Sequence, residues 1–230
     1  MLALRPYVVL VGLFDAVTAA AQFTGTVAAV SDYRFRGVSL SQEKPAAQLT
    51  VTYDAPAGGY AGVFASTVEF AASSSTTVQI VGFLGTAMPI TSGVHADVGI
   101  NYAAFGGALR DYNYGEVYVG ASSGEYSARV HYSPDYFGVS EGSLYSAFDV
   151  THAMSDRVAL LGHVGLLLPV KHGGAASARR LLDGRAGVGF DFAGFNLQIA
   201  WVTTNAVRGS YPIDNRQRAD TFAISVLRPF

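Results

Sequence analysis

Apolar and polar residues alternate along most of this chain with a period of two, which is the pattern of a β-strand with one apolar and one polar face. The last twelve residues are a clear example. They place an apolar row on one face, made of Phe222, Ile224, Val226 and Phe230. Because the pattern recurs from Gln22 onward, it predicts an all-β protein in which this final strand closes the sheet.

The alternation divides the chain into twelve predicted strands. They cover residues 24–36, 46–54, 59–69, 77–87, 93–103, 112–122, 125–133, 143–152, 156–168, 181–192, 194–204 and 219–230. Each is long enough to cross an outer membrane at a tilt, since about 9–11 residues suffice. We therefore expect a closed antiparallel up-and-down transmembrane β-barrel of about 12 strands, with ten as the lowest count that the pattern allows.

The connections between the predicted strands alternate in length. Tight links follow strands 2, 6, 8 and 10 at residues 55–58, 123–124, 153–155 and 193–194. Longer connections rich in Gly, Pro and charge follow strands 7, 9 and 11 at residues 134–142, 169–180 and 205–218. This alternation predicts short periplasmic turns, longer extracellular loops and two termini on the periplasmic side.

The faces of most strands follow from the same pattern. Strand 5 sends Val98 and Ile100 outward, and it sends His95 and Asp97 inward. Nearly every mid-strand charge falls on the polar face, as a barrel in lipid requires, because a midplane Arg or Lys facing lipid costs ~2–4 kcal/mol. Residues 77–87 and 158–168 are apolar on both faces, so their facing stays open.

Composition narrows the class of protein. Hydrophobic residues make up 50% and charged residues 14% of the chain, yet no apolar run approaches the ~20 residues of a membrane helix. The 26 glycines, 13 tyrosines and 14 phenylalanines suit strands, turns and aromatic girdles, although soluble sandwiches share that bias. A net charge of -2 argues against a nucleic-acid partner, and the absence of cysteine excludes disulfides and thiolate metal sites.

The first 21 residues have the features of a signal peptide. Arg5 precedes an apolar run at residues 7–14, and small residues at 17–21 offer a cleavage site before Gln22. The alternatives are a first strand or a disordered leader. We expect residues 1–21 to direct export and residues 22–230 to form a single barrel domain in the outer membrane of a Gram-negative bacterium.

Several segments carry a family resemblance. They are Ser-Asp-Tyr-Arg-Phe-Arg-Gly at 31–37, Pro-Ala-Ala-Gln at 45–48, Gly-Tyr-Ala-Gly-Val at 59–63, Asp-Tyr-Asn-Tyr-Gly-Glu-Val-Tyr at 111–118 and Tyr-Ser-Pro-Asp-Tyr-Phe-Gly at 132–138. With the closing strand, they resemble the porin family called TorF. The resemblance implies an outer-membrane barrel of the porin kind, with no well-established substrate or catalytic residues to carry over, and it makes Phe222, Ile224, Val226 and terminal Phe230 an expected signal for the barrel assembly machinery.

Polar side chains predicted to face the lumen are the candidates for a pore lining. They are Asp32, Arg34, Arg36, Asp54, Glu69, His95, Asp97, Glu116, Arg129, His131, Asp149 and Arg185. Their mixed sign has two interpretations. The charges either form a transverse field that orients permeating solutes, or they pair as internal salt bridges that hold a narrow barrel shut.

An enzyme is the competing class of function. Residues 120–124 match Gly-x-Ser-x-Gly, but that motif acts at a strand-to-helix turn and here it lies in a predicted hairpin. His95 with Asp97 and His131 with Asp135 lack a third ligand or a nucleophile beside them. We therefore predict no catalysis, no metal and no cofactor.

The functional hypothesis is a porin-like channel for passive diffusion of small hydrophilic solutes or ions. The first alternative is a closed barrel with a structural or recognition role through its extracellular loops, and the second is an outer-membrane hydrolase. The partners expected are outer-membrane lipid and lipopolysaccharide, the barrel assembly machinery and the permeating solutes, and a homo-oligomer of the chain stays open as an alternative to a single barrel.

Overall fold

A computed structural model describes residues 22–71, 75–170, 180–206 and 218–230. The predicted signal peptide and most of the predicted connections at 169–180 and 205–218 lie outside the described residues. Twelve strands form one closed barrel. They are β1 (Gln22–Val30), β4 (Ala46–Asp54), β5 (Gly59–Val68), β6 (Thr77–Thr91), β7 (Val94–Phe105), β8 (Tyr114–Ser123), β9 (Tyr126–Ser133), β10 (Gly142–Ala153), β11 (Val158–Val170), β12 (Leu181–Phe192), β13 (Phe195–Thr204) and β14 (Asp220–Pro229).

Each barrel strand pairs antiparallel with its neighbours in sequence, and β1 closes the ring by pairing with both β4 and β14. The predicted barrel class and strand number are therefore confirmed. At the closure, the Phe230 amide donates to the Gly25 carbonyl at 2.9 Å, and the Gly25 amide donates to the Phe230 carbonyl at 3.1 Å. Phe230 thus adds two backbone hydrogen bonds to the seam between the first and last strands.

The two ends of the barrel differ in their connections. At one end, which we call the short-turn rim, the links are residues 55–58, 92–93, 124–125, 154–157 and 193–194. The opposite end, the long-loop rim, carries the longer connections and two short 3₁₀ helices, Gly107–Tyr112 and Tyr136–Gly138. The predicted alternation of short and long connections is confirmed. Which rim faces the cell exterior stays a prediction.

The outer surface of the barrel is an apolar band. Side chains such as Ile100, Val119 and Leu84 are about half exposed on it. The predicted facing of the fifth predicted strand is confirmed, since Val98 and Ile100 are about half exposed on the outer surface. The two strands of open facing, β6 and β11, point their even-numbered residues outward. None of the helices in the described part of the chain is long and apolar enough to cross a membrane.

The prediction of a single strand over residues 24–36 is wrong for the second half of that range. Strand β1 ends at Val30, and residues 31–45, which we call the plug segment, fold into the barrel interior before β4 begins. The segment contains a small ribbon of β2 (Arg34–Phe35) and β3 (Val38–Ser39). Arg36 and Gly37, between them, have positive φ angles of 50° and 78°, as in the tight turns that join antiparallel strands. The charged residues predicted on that strand, Asp32, Arg34 and Arg36, therefore lie inside the barrel on the plug segment, with Arg36 on its turn.

The plug segment and the loops fill the long-loop half of the barrel with a packed apolar core. Tyr33, Val38 and Leu40 come from the plug segment, while Leu109 and Phe137 come from the 3₁₀ helices. The strands on all sides contribute the rest of the cluster, which includes Ala46, Phe64, Val68, Ala103, Phe105, Tyr114, Tyr145, Leu167 and Leu181. Leu40 and Phe137 have no exposed surface at all. The core of this protein is thus located at one end of its barrel.

Candidate functional site

The short-turn half of the barrel interior has a polar, half-buried lining. Its inward side chains include Thr50, Thr52, Asp54, His95, Asp97, Ser122, Ser127, Arg129, Asp149 and Thr151. These groups retain exposed surface, in contrast to the buried groups of the long-loop half. The interior is therefore divided into a filled end and a polar space, which we call the vestibule.

Aromatic side chains of the vestibule lie flat along the wall because glycines on the neighbouring strands leave room for them. A side chain at Gly85 would collide with the phenol of Tyr60, and one at Gly99 would collide with the phenol of Tyr118. Tyr60 thus covers β6 and Tyr118 covers β7, and their hydroxyl groups meet at 2.7 Å. Both rings therefore cover the wall instead of pointing toward the axis of the barrel.

The same wall carries an ion pair that spans two strands. Arg129 on β9 contacts Asp97 on β7 at 2.5 Å, and the Tyr60 hydroxyl donates to Asp97 at 3.1 Å. The Arg129 guanidinium lies 4.8 Å from the centre of the Tyr118 ring. These contacts hold the Arg129 guanidinium, the Asp97 carboxylate and the two tyrosine side chains together against the wall. Because Asp97 and Arg129 are in direct contact, their charges largely neutralise each other.

A second network lies on the facing wall, where His163 on β11 bridges two carboxylates. Its Nδ1 atom lies 2.8 Å from Asp149 and its Nε2 atom lies 2.9 Å from Asp183. The Tyr145 hydroxyl lies 3.1 Å from the same Nε2 atom. Arg185, directly opposite His163 across the strand pair, forms no ion pair with the described residues, and its buried Nε atom has no hydrogen-bond partner among them. Among the described residues of the vestibule, Arg185 is therefore a cation that no ion pair neutralises.

A buried ion pair joins the plug segment to the wall between the apolar core and the vestibule. Arg36 contacts Glu116 on β8 at 2.8 Å, and their side chains are only 5% and 3% exposed. His131 lies 3.3 Å from the same carboxylate. The Arg36 guanidinium also lies 4.2 Å from the ring centre of Tyr145 and 5.3 Å from that of Tyr136.

The pKa of Arg36 lies well above its ordinary value even though burial alone would lower it. The Glu116 carboxylate, together with nearby phenol groups, outweighs the cost of burial. Arg36 is therefore charged in this position. A buried charge is stable only beside a partner such as Glu116, since an unpaired ion in a protein interior is very costly.

The other predicted charges of the first strand hold the plug segment together. Asp32 accepts from Arg34 Nε at 2.6 Å and from the hydroxyl of Ser39 at 2.6 Å. Arg34 also lies 3.6 Å from Glu43 within the same segment. The alternation predicted that Asp32, Arg34 and Arg36 form one row on a strand face. The structure shows that they do not.

Most of the other predicted pore-lining side chains do point into the barrel. Asp54, His95, Asp97, Glu116, Arg129, His131, Asp149 and Arg185 all lie on inward positions of their strands. The prediction that Glu69 lines the pore from a strand is wrong. Strand β5 ends at Val68, and Glu69 forms an ion pair with Lys44 of the plug segment, at 2.6 Å, at the long-loop rim. Sequence reasoning missed Tyr60 and Tyr118, although each lies opposite a glycine-bearing strand in the predicted hairpins.

The candidate catalytic groups are not arranged for catalysis. Residues 120–124 form the end of β8 and its turn into β9, as predicted for a hairpin. Asp97 bonds Arg129 rather than a histidine, and the carboxylate beside His131 is Glu116 instead of Asp135. Among the described residues, no group of three or more His, Asp or Glu side chains is placed to hold a metal ion.

A depression of about 1210 Å³ lies on the opposite, outward side of the wall. Its lining includes Tyr53, Val63, Leu84, Ile100 and Tyr102, which belong to the exposed apolar band. It therefore forms part of the outer surface and is separate from the vestibule.

The family of the chain follows from a match over most of its length. A family model described as a bacterial protein of unknown function, Gcw_chp, matches residues 15–230. The chain belongs to this Gcw_chp family. None of the curated proteins compared with the chain matches it.

Solved structures share the fold of this Gcw_chp protein. The KdgM porin has a TM-score of 0.57 and 8% identity, and the alignment covers 90% of this chain and 99% of the porin. An outer membrane channel from Pseudomonas putida F1 has a TM-score of 0.50 and 12% identity over 95% of this chain and all of the channel. At such identities the likeness shows the barrel fold alone.

Proposed function

We propose that this Gcw_chp protein is an outer-membrane channel for passive diffusion of small hydrophilic solutes or ions. The observation that carries the proposal is the vestibule. Its large rings lie flat over Gly85 and Gly99 instead of crossing the axis, and its wall is polar and half-buried. A barrel that served only as a rigid support would gain from filling this space, because packed side chains stabilise an interior.

Placement in the outer membrane is supported by the exterior of the barrel. The outward side chains form an exposed apolar band around a closed sheet, which would be a large aggregation-prone surface in water but is suited to lipid. The resemblance to the TorF porins and the fold shared with known porins agree with this placement. Residues 1–21 would then serve as the export signal, and Phe222, Ile224, Val226 and Phe230 as the signal for barrel assembly.

The described charges suggest a pore of nearly balanced sign. Asp97 is paired with Arg129, and His163 lies between two carboxylates, so a strong transverse field is not expected. Among the described residues, Arg185 is left as the pore-lining charge with the most influence on permeating ions. Small solutes of either sign, and neutral ones, would then pass according to size more than charge.

The closed-barrel alternative has one observation in its favour, which is the packed core of the long-loop half. Conductance separates the two functions. Refolded protein in planar lipid bilayers should give stepwise currents if it is a channel. A variant in which a two-residue turn replaces residues 32–44 should give larger current steps. If this variant is folded and gives no current, the proposed channel function is refuted.

A further inference from the structure

We propose that the plug segment, residues 31–45, is a movable gate, and that the ion pair between Arg36 and Glu116 is the latch that holds it shut. This inference rests on the proposed channel function and adds its regulation. The gate opens when the segment leaves the barrel as a unit toward the long-loop rim, and the vestibule then becomes continuous with the opposite side.

The plug segment blocks the bore in the position observed. Phe64 on β5 and Leu167 on β11 belong to the same buried cluster, although these strands stand opposite each other in the twelve-membered ring. Leu40 of the plug segment lies in that cluster with no exposed surface. A packed layer therefore crosses the barrel from wall to wall, and no solute passes while it is in place.

The barrel does not depend on the plug segment for its closure. Strands β1 and β4 on either side of it pair with each other directly, from Gln22 opposite Asp54 to Val30 opposite Ala46. The segment is thus a long hairpin connection whose two ends are already held together. Ser31 remains bound to β14, because its amide donates to the Ile224 carbonyl at 2.8 Å, and the residues after it can leave the interior without breaking a hydrogen bond between β1 and β4.

The plug segment carries most of its own hydrogen-bond partners. Asp32 accepts from Arg34, from Ser39 and, at 3.2 Å, from the hydroxyl of Ser41. The Ser41 hydroxyl in turn accepts from the Tyr33 amide at 2.9 Å. Because these partners lie within one short stretch, the segment keeps them when it moves, and it behaves as a rigid body.

Several polar contacts tie this body to the rest of the barrel, among them the Leu40 carbonyl, which accepts from the Glu69 amide at 2.8 Å, and the latch is a deeply buried ion pair among them. The others include the Tyr33 hydroxyl donating to Gln79 at 2.9 Å and Lys44 bonding Glu69 at 2.6 Å near the rim. A buried ion pair is close to balance, because its attraction is offset by the lost hydration of both ions. Arg36 and Glu116 regain water when the gate opens, so the intact pair itself adds little to the free energy of opening, whereas removal of one partner would leave an uncompensated buried charge that favours opening.

The last long connection meets the plug segment from outside. The Arg218 side chain lies 3.2 Å from Glu43, and the Arg218 carbonyl accepts from Arg34 at 2.8 Å. Arg218 is 72% exposed in its side chain. This clasp lies at the rim, where it is accessible to reagents, and it offers a place to lock the gate.

The first test removes the latch. Single-channel recordings in planar bilayers would compare wild type with Glu116→Gln, which leaves Arg36 buried without its counter-charge, after heat-modifiable gel mobility has shown that both proteins are folded. We expect the ratio of open to closed time to rise at least about tenfold. The matched control is Asp97→Asn, which removes the carboxylate that contacts Arg129 between two wall strands. It should alter ion selectivity without the rise in open time.

The second test locks the gate. The chain has no cysteine, so Glu43→Cys with Arg218→Cys gives a unique pair for a short bifunctional thiol reagent. Cross-linking should abolish opening, and a reductant that cleaves the linker should restore it. The single variants treated with the same reagent serve as controls.

The outcomes distinguish the gate from the channel. Equal open times in wild type, the latch variant and the cross-linked variant would overturn the gate and leave the channel standing. Currents that continue at full size through cross-linked protein would do the same. If no folded variant conducts, including the one in which a two-residue turn replaces residues 32–44, the proposed channel function is itself wrong.

Discussion

Shortening Leu40 to alanine should loosen the plug segment far more than it loosens the barrel. Leu40 is completely buried among side chains from the wall and the loops. Leu→Ala substitutions at such sites cost ~2–5 kcal/mol. Because the plug segment lies outside the hydrogen-bonded strands of the barrel, most of this free energy should be lost from the docking of the segment and not from the stability of the barrel. The equilibrium constant for undocking should then increase by about 30- to 4000-fold.

Limited proteolysis measures this equilibrium directly. The plug segment contains two trypsin sites at Arg34 and Arg36, whose side chains are each 5% exposed. Cleavage there requires the segment to undock, and its rate follows the population of the undocked state when reclosing is fast. The cleavage products would be followed by mass spectrometry in lipid or detergent, and barrel unfolding in urea by heat-modifiable gel mobility.

The matched control is Leu227→Ala. Leu227 is 4% exposed on the inward face of β14 and lies outside the cluster that contains the plug segment. The control should lower the urea midpoint of the barrel without accelerating cleavage at Arg34 or Arg36. If instead the two variants give the same cleavage rates and the same loss of barrel stability, the plug segment and the barrel unfold as one cooperative unit, and the reasoning from separate docking is refuted.

Three further predictions concern the orientation, the vestibule and assembly. A cysteine at Asp111 should react with an impermeant reagent on intact cells and one at Ala193 only after the outer membrane is broken, and the reverse pattern would contradict the predicted topology. Gly85→Ala should reduce conductance by pushing a ring off the wall, whereas Gly82→Ala, an outward position with free space around it, should not. Deletion of Phe230, which is 71% exposed, should lower stability by no more than ~1–2 kcal/mol but sharply reduce folded barrel in membrane fractions; normal membrane levels would argue against an assembly signal.

The barrel strands were predictable because lipid and a polar lumen impose opposite demands on alternate residues. On β7, Val98 and Ile100 face outward while His95 and Asp97 face inward, and the period of two records this directly. The connections add independent information, since tight turns such as residues 193–194 are recognisable by composition. Strand number and facing therefore follow from local sequence for most of the chain.

The plug segment escaped prediction because it alternates like a strand. Tyr33 and Phe35 alternate with Asp32, Arg34 and Arg36, which suggests one aromatic and one charged face. In the folded chain the aromatic rings pack into the interior core and the charges find partners there, with Glu116 supplied by a strand 80 residues away in sequence. Only tertiary contacts separate this segment from a longer β1, and they are not encoded in local periodicity.

The uncertain facing of β6 and β11 was itself a consequence of the plug. Where the interior is a vestibule, most inward positions are polar or small and the alternation is clear, with Phe83 and Leu161 as exceptions. Where the plug segment fills the interior, inward residues such as Val81 and Leu167 pack against the core and become apolar, so that both faces look alike. Loss of alternation toward one end of several strands, on the side of the longer connections, is therefore a sequence signal that something apolar is folded into that end. A charged and aromatic stretch between two strands that pair directly, such as residues 31–45 here, is a second signal. The two signals together would identify the segment that fills the interior.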